Sequence, residues 1–108
     1  MTGPVQPPAG GSPQQTLGVR VTGIVQGVGF RPFVYRLALD HAVRGWVRNT
    51  AGQVELEIEG PRSTLDEFLH ALRHDAPPLA RIDGLQVEER AEAGHERFRI
   101  LESRLDAG

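Results

Sequence analysis

Cysteine is absent from this sequence. Its absence excludes disulfide cross-links, thiol nucleophiles and cysteine-bound zinc, and it suits a reducing, cytoplasmic setting. Long hydrophobic runs are absent too: none approaches the roughly 18 residues of a membrane-spanning helix. The N-terminus has no basic segment followed by an apolar stretch, so no secretory signal is read there and no membrane partner is expected. Excess positive charge is likewise missing. The net charge is −2 at pH 7, whereas a nucleic-acid surface needs a concentrated basic footprint. Aromatic residues make up 6% of the chain. Trp46 and Tyr35 could stack a base, but the third predicted strand lacks the basic and aromatic signature of an RNA-recognition module, so both read as packing residues.

Glycine and proline are plentiful, at 13 and 8 in 108 residues, and their placement divides the chain. Residues 1–16 are rich in Pro, Gly, Gln and Ser with little to bury, and read as a disordered leader. Residues 17–101 have the length and apolar content of one domain, and 102–108 read as a tail or linker to a following domain. Val19, Val21, Ile24 and Val25 form a β-branched strand that enters a glycine loop. Pro32 then suits the first position of a helix, where a missing N–H costs nothing. It also pushes Arg31 toward an extended conformation at the junction. Phe30, Val34, Leu37, Ala38 and His41 fall on one helical face.

A second strand covers Val43 to Arg48, and Asn49, Thr50, Ala51 and Gly52 form a turn. Val54, Leu56 and Ile58 alternate with Glu55, Glu57 and Glu59, which predicts a strand with one buried and one wet face. Ser63 caps a second helix, with Asp66 at the capping-box position and Glu67 in the first turn. Leu65, Phe68, Leu69 and Leu72 give that helix its apolar stripe. Ile82, Leu85 and Val87 suggest a fourth strand, and Phe98 and Ile100 a short fifth. The order β-α-β-β-α-β plus an extra strand predicts an α+β, ferredoxin-like sandwich, with two helices on one face of an antiparallel sheet.

The loop itself, GIVQGVGFR at Gly23–Arg31, carries the chemistry. Closely spaced glycines permit a tight turn that bares backbone N–H groups, and successive N–H groups can converge on an anion. Arg31 at the lip adds a planar fork of donors that matches two phosphate oxygens. The common nucleotide loops do not fit. A P-loop needs Lys followed by Ser or Thr after its last glycine, and Phe30 and Arg31 stand there. A dinucleotide loop needs another glycine three residues after Gly29, and that position is Pro32.

Together with GWVRNT at Gly45–Thr50, the loop resembles the acylphosphatase family, over about Leu17 to Leu101. Pro32 directly after the loop arginine, giving FRPFVYRLA at Phe30–Ala38, and PPLARID at Pro77–Asp83 narrow the resemblance. Both are similar to the N-terminal acylphosphatase-like domain of the hydrogenase maturation carbamoyltransferases, in which this domain is the first of several. The resemblance implies hydrolysis of an acyl phosphate, carbamoyl phosphate above all, as the first step of carbamoyl transfer in nickel–iron hydrogenase maturation. It implies Arg31 as the substrate-binding arginine and Asn49 as the residue that positions the attacking water. It implies Gln26, Gly27, Val28, Gly29, Phe30 and Arg31 as the phosphate-binding loop. No cofactor and no metal are expected in this domain. The implied partners are downstream domains of the same chain and the maturation protein that accepts the carbamoyl group.

Other readings stand beside this one. A non-catalytic module that binds carbamoyl phosphate or docks against neighbouring domains would present the same loop. Asn49 taken alone reads as turn chemistry. His70 and His74 lie one helical turn apart, without an evident third ligand, and read as a solvated helix face. Glu55, Glu57 and Glu59 read as the wet face of a strand rather than as paired catalytic carboxylates.

Overall fold

The computed structural model describes residues 13–103. Residues 1–12 of the expected leader and 104–108 of the expected tail lie outside the described residues. The elements run β1 (Gln14–Ile24), α1 (Phe30–His41), β2 (Arg44–Thr50), β3 (Gln53–Pro61), α2 (Arg62–His74), β4 (Arg81–Arg90) and β5 (Phe98–Ile100). They form one sheet in the order β4-β1-β3-β2-β5.

The strand pattern explains why both helices share one face. In β3, Val54, Leu56 and Ile58 are fully buried, and across the ladders they oppose Val21, Val19 and Leu17 of β1. Alternation puts all of these on one side of the sheet. Phe30, Val34, Leu37 and Ala38 of α1 and Leu65, Phe68 and Leu72 of α2 bury their stripes against that side. Burying each large side chain contributes roughly 1.5–3 kcal/mol, so this single layer of apolar contacts holds the sandwich together. His41 lies half-buried at the end of the α1 stripe, its ring edge-on to Phe68.

The architecture is the expected ferredoxin-like sandwich, but the sheet is mixed rather than antiparallel. β5 pairs with β2 in parallel, Gly45 opposite Phe98 and Val47 opposite Ile100. β4 ends at Arg90, level with Arg44 at the start of β2 because both ladders meet at the Thr16–Glu59 rung, so the chain enters β5 from that end and runs alongside β2.

Four boundaries differ from the sequence reading, each for a local reason. β1 begins at Gln14, inside the expected leader, because Gln14 to Thr16 pair with Glu59 to Pro61. β2 continues through Asn49 and Thr50, and a two-residue turn at Ala51 and Gly52 closes the hairpin. Asn49 is therefore a strand residue. β3 runs to Pro61, which takes the N-cap position of α2 in place of Ser63 and makes no side-chain cap bond. The Arg62 N–H instead donates to the Pro13 carbonyl, and Asp66 pairs with Arg62 at 3.1 Å. Finally, Arg31 and Pro32 lie inside the first turn of α1. The first-turn N–H groups of a helix have no intrahelical partner, so proline is tolerated there, and helix docking overrides the extended preference it places on Arg31.

Candidate active site

Between β1 and α1 the chain passes through residues 25–29, and here the backbone changes hand twice. Gly27 has φ 73° and Gly29 has φ 79°, conformations that cost an L side chain about 1–2 kcal/mol. A Cβ at either position would meet no atom within 4 Å. Glycine is therefore needed for the direction of the backbone and not for space. Gly29 forms the N-cap of α1, and its carbonyl accepts from the Phe33 N–H at 3.2 Å. Among the described residues, the N–H groups from Gly27 to Arg31 find no protein acceptor. They sit at the positive end of the helix dipole, where an anion is stabilised.

Gly27, Gly29, Phe30 and Arg31 border an open hollow of about 210 Å³ that Val25, Gln26, Pro32 and Asn49 also line. Arg31 is half-buried, and among the described residues its guanidinium has no ion pair. Asn49 comes from β2, on the side of the sheet that faces the helices, and is 9% exposed. Its Oδ1 is buried without a hydrogen-bond partner. A buried, unsatisfied amide oxygen costs about 1–3 kcal/mol, so its retention needs a reason, and the place of Asn49 among the residues that line the hollow supplies one. The structure thus brings Gln26, Gly27, Gly29, Phe30, Arg31 and Asn49 to one place. Val28, between the two glycines, packs its side chain against the core, so its part in the loop is played by its backbone.

Gln26 behaves differently from the other loop residues. Its Nε2 donates to the Thr50 carbonyl and to the Gln53 carbonyl, both at 2.8 Å. Both side-chain donors are consumed by the β2–β3 hairpin, so the side chain ties the loop to the hairpin instead of contributing a donor to the cradle. The acceptors are backbone carbonyls, which every residue carries, so no sequence signal marks them.

The remaining candidates lie elsewhere. His70 and His74 are exposed on α2, with ring centroids 4.2 Å apart. Among the described residues no cluster of three His, Cys, Asp or Glu side chains is placed to hold a metal. Glu55, Glu57 and Glu59 face away from the helices, but that face is not simply wet. Glu59 is 2% exposed. It accepts from the Thr16 hydroxyl at 2.5 Å and from the N–H groups of Ala93, Gly94 and His95 at 2.8, 3.1 and 2.6 Å. Burial raises its pKa, but these four bonds outweigh burial and hold it at about 2. Arg90 reaches Glu57 at 2.8 Å and Glu55 at 3.6 Å, and His95 Nε2 lies 2.7 Å from Glu57. Burial raises the Glu57 pKa as well, yet Arg90 and His95 bring it below the ordinary value.

The family model for acylphosphatase matches residues 17–100. The chain is similar to carbamoyltransferase HypF2 of Cupriavidus necator, 53% identical over 91 residues, which are 82% of this chain and 11% of that protein. It is also similar to an acylphosphatase of Syntrophotalea carbinolica, 45% identical over 84 residues, 76% of this chain and 90% of that protein. Among solved structures, full-length HypF in its phosphate- and nucleotide-bound form matches with a TM-score of 0.85 at 34% identity, over 89% of this chain and 13% of that one. The acylphosphatase of Bacillus subtilis matches with a TM-score of 0.76 at 39% identity, over 80% of this chain and 97% of that one. The chain spans 11–12% of the length of two of the carbamoyltransferases it matches.

Proposed function

We propose, from the premise that this chain belongs to the acylphosphatase family and is an acylphosphatase-type hydrolase, that its substrate is carbamoyl phosphate. Its place would be the first step of carbamoyl transfer in hydrogenase maturation, as a domain alongside others in a longer carbamoyltransferase. The identity to HypF carbamoyltransferases supports this substrate and setting. The observation that carries the chemistry is the convergence of the glycine loop, with its unpartnered N–H groups, Arg31 and Asn49 on one hollow.

The reaction needs little beyond placement. An acyl phosphate is a mixed anhydride whose leaving carboxylate has a conjugate acid of pKa about 4, and carbamate also leaves without strong acid assistance. The phosphoryl group passes through a loose transition state with charge on its equatorial oxygens. In this reading the N–H groups of Gly27 to Arg31 and the Arg31 fork hold those oxygens, with no metal required. Asn49 aligns a water opposite the leaving group. The water oxygen bonds to phosphorus as the bond to the acyl oxygen breaks, and carbamate departs with the electron pair. The water proton passes to a phosphate oxygen of the substrate, because an asparagine amide cannot take it at neutral pH.

The test is phosphate release from carbamoyl phosphate, above its spontaneous breakdown, by the wild type and by Arg31→Ala side by side. Acceleration that vanishes in the variant is the expected result. Carbamoyl phosphate binding without phosphate release by the folded wild type would turn the site into a binding module. The proton route adds a second expectation: kcat does not follow any carboxylate titration of the protein. A large loss on neutralising one Asp or Glu, with the fold intact, would overturn that route.

A further inference from the structure

We infer that Gln26 is a positioning residue, a clasp that sets the gap between the phosphate cradle and Asn49. The inference rests on the role proposed for Asn49. Backbone pairing between β1 and β3 ends at Thr22 opposite Gln53. Beyond that rung β1 is irregular between Thr22 and Gly23, and its chain turns into the glycine loop. β2 and β3 meanwhile run on to the tip at Ala51 and Gly52. The Gln26 side chain bridges this divergence. One amide group donates to the two carbonyls that flank the tip, Thr50 and Gln53, at 2.8 Å each. Only the NH₂ end of a glutamine can donate to two carbonyls, so the orientation of the amide is fixed by its partners.

The fastening points are close to both halves of the site. Gln26 immediately precedes Gly27, the first cradle residue, and Thr50 immediately follows Asn49. Each half borders a glycine with positive φ, Gly27 on one side and Gly52 on the other, so each has a pliable neighbour that the clasp restrains. The cradle is also held from its other end by α1, through the Gly29 cap and the buried Phe30. Loss of the clasp would therefore leave anion binding standing and disturb the alignment of the water against the phosphorus.

The test is a kinetic double-mutant cycle with Gln26→Met, Asn49→Ala and the double variant. The substrate is benzoyl phosphate, followed by its own consumption, and inorganic phosphate is the competing ligand. Small misplacement of reacting groups is costly, so Gln26→Met should lower kcat about tenfold or more while the phosphate inhibition constant stays within about threefold. In the Asn49→Ala background the Gln26 substitution should cost nothing further. A phosphate constant that weakens in step with kcat would make Gln26 a cradle residue. An equal kcat loss in both backgrounds would show that it does not act through Asn49. Either result overturns the inference. Wild-type kcat in Asn49→Ala would instead overturn the role of Asn49, and this inference with it. Should circular dichroism show Gln26→Met unfolded, Gln26→Ala replaces it with the same expectations.

Discussion

In the proposed reaction, Arg31 concentrates the anion chemistry in one side chain. It projects from the first turn of α1, so its guanidinium and the helix N-terminus present positive charge to the same hollow. Removal of a preorganised donor of this kind commonly costs a factor of about 10²–10³ in rate, and Arg31→Ala should lose at least about 10² in kcat/KM. Arg31→Lys keeps the charge and loses the planar fork, so partial recovery is expected. The two variants are compared by steady-state kinetics on an acyl phosphate, and wild-type behaviour of the lysine variant would rule out two-point recognition. Asn49 shows what a residue gains from its element. As a turn residue it would spend its amide on its own backbone. As a β2 residue on the helix-facing side it has a buried oxygen free for something else.

The connection between β4 and β5 is fastened by Glu59. Ala93, Gly94 and His95 wrap their successive N–H groups around its carboxylate, and Arg44 adds a bond to the His95 carbonyl at 3.1 Å. Glu59 is held at a pKa of about 2 against an ordinary 4.5. A depressed carboxyl stabilises the fold above the unfolded value and loses that contribution as pH falls through the folded one. The two values imply about 3 kcal/mol at neutral pH, fading between about pH 4.5 and pH 2. Glu59→Gln should therefore be clearly less stable at pH 7, with its urea midpoint approaching that of the wild type near pH 2. Parallel midpoints across that range would contradict it. The sequence could not announce this role. Alternation in β3 correctly assigned Val54, Leu56 and Ile58 to the core, because that pattern is local. The covering of Glu59 depends on a loop 34 to 36 residues away, and the parallel pairing of β5 on β2 joins residues still farther apart in the chain. The start of α2 was misplaced for a related reason: the Arg62 N–H finds its acceptor in Pro13, far upstream, so the helix begins ahead of Ser63. The glycine loop, its arginine and the asparagine were legible because their spacing is itself the motif. The hairpin contacts of the Gln26 side chain were not legible, since its partners are carbonyls with no identity in sequence.

Across the whole molecule the sheet separates two uses of the same chemistry. Toward the helices, the N–H groups of residues 27–31 find no protein acceptor among the described residues, and in the proposed function they hold an external anion. On the opposite face, the N–H groups of residues 93–95 form a similar nest already filled by Glu59. Beside that nest, ion pairs link Arg48, Glu55, Arg90 and Glu57 in a continuous chain, His95 Nε2 lies 2.7 Å from Glu57 at its end, and Arg48 is stacked 4.8 Å over the Trp46 ring. Arg90 is its central link and lies flat on Gly18, where any side chain would collide with the guanidinium. None of these charged residues lines the hollow that holds Arg31 and Asn49. Stability and catalysis should therefore come apart. Arg90→Met keeps most of the apolar stem but removes the guanidinium over Gly18 and leaves two half-buried glutamates without their shared cation. Surface pairs are worth little, yet a networked cation serving several carboxylates exceeds the usual 0.2–1 kcal/mol for one pair. A loss of about 1–2 kcal/mol corresponds to a melting temperature lower by roughly 5–15 °C in a domain of this size. The same variant, assayed well below its melting point, should keep kcat and KM within about twofold on the double-face argument, since screened charges a sheet's thickness away contribute little. A melting temperature unchanged by Arg90→Met would show that the charge chain is ornamental. A fall in kcat without unfolding would show that the two faces are coupled through the sheet.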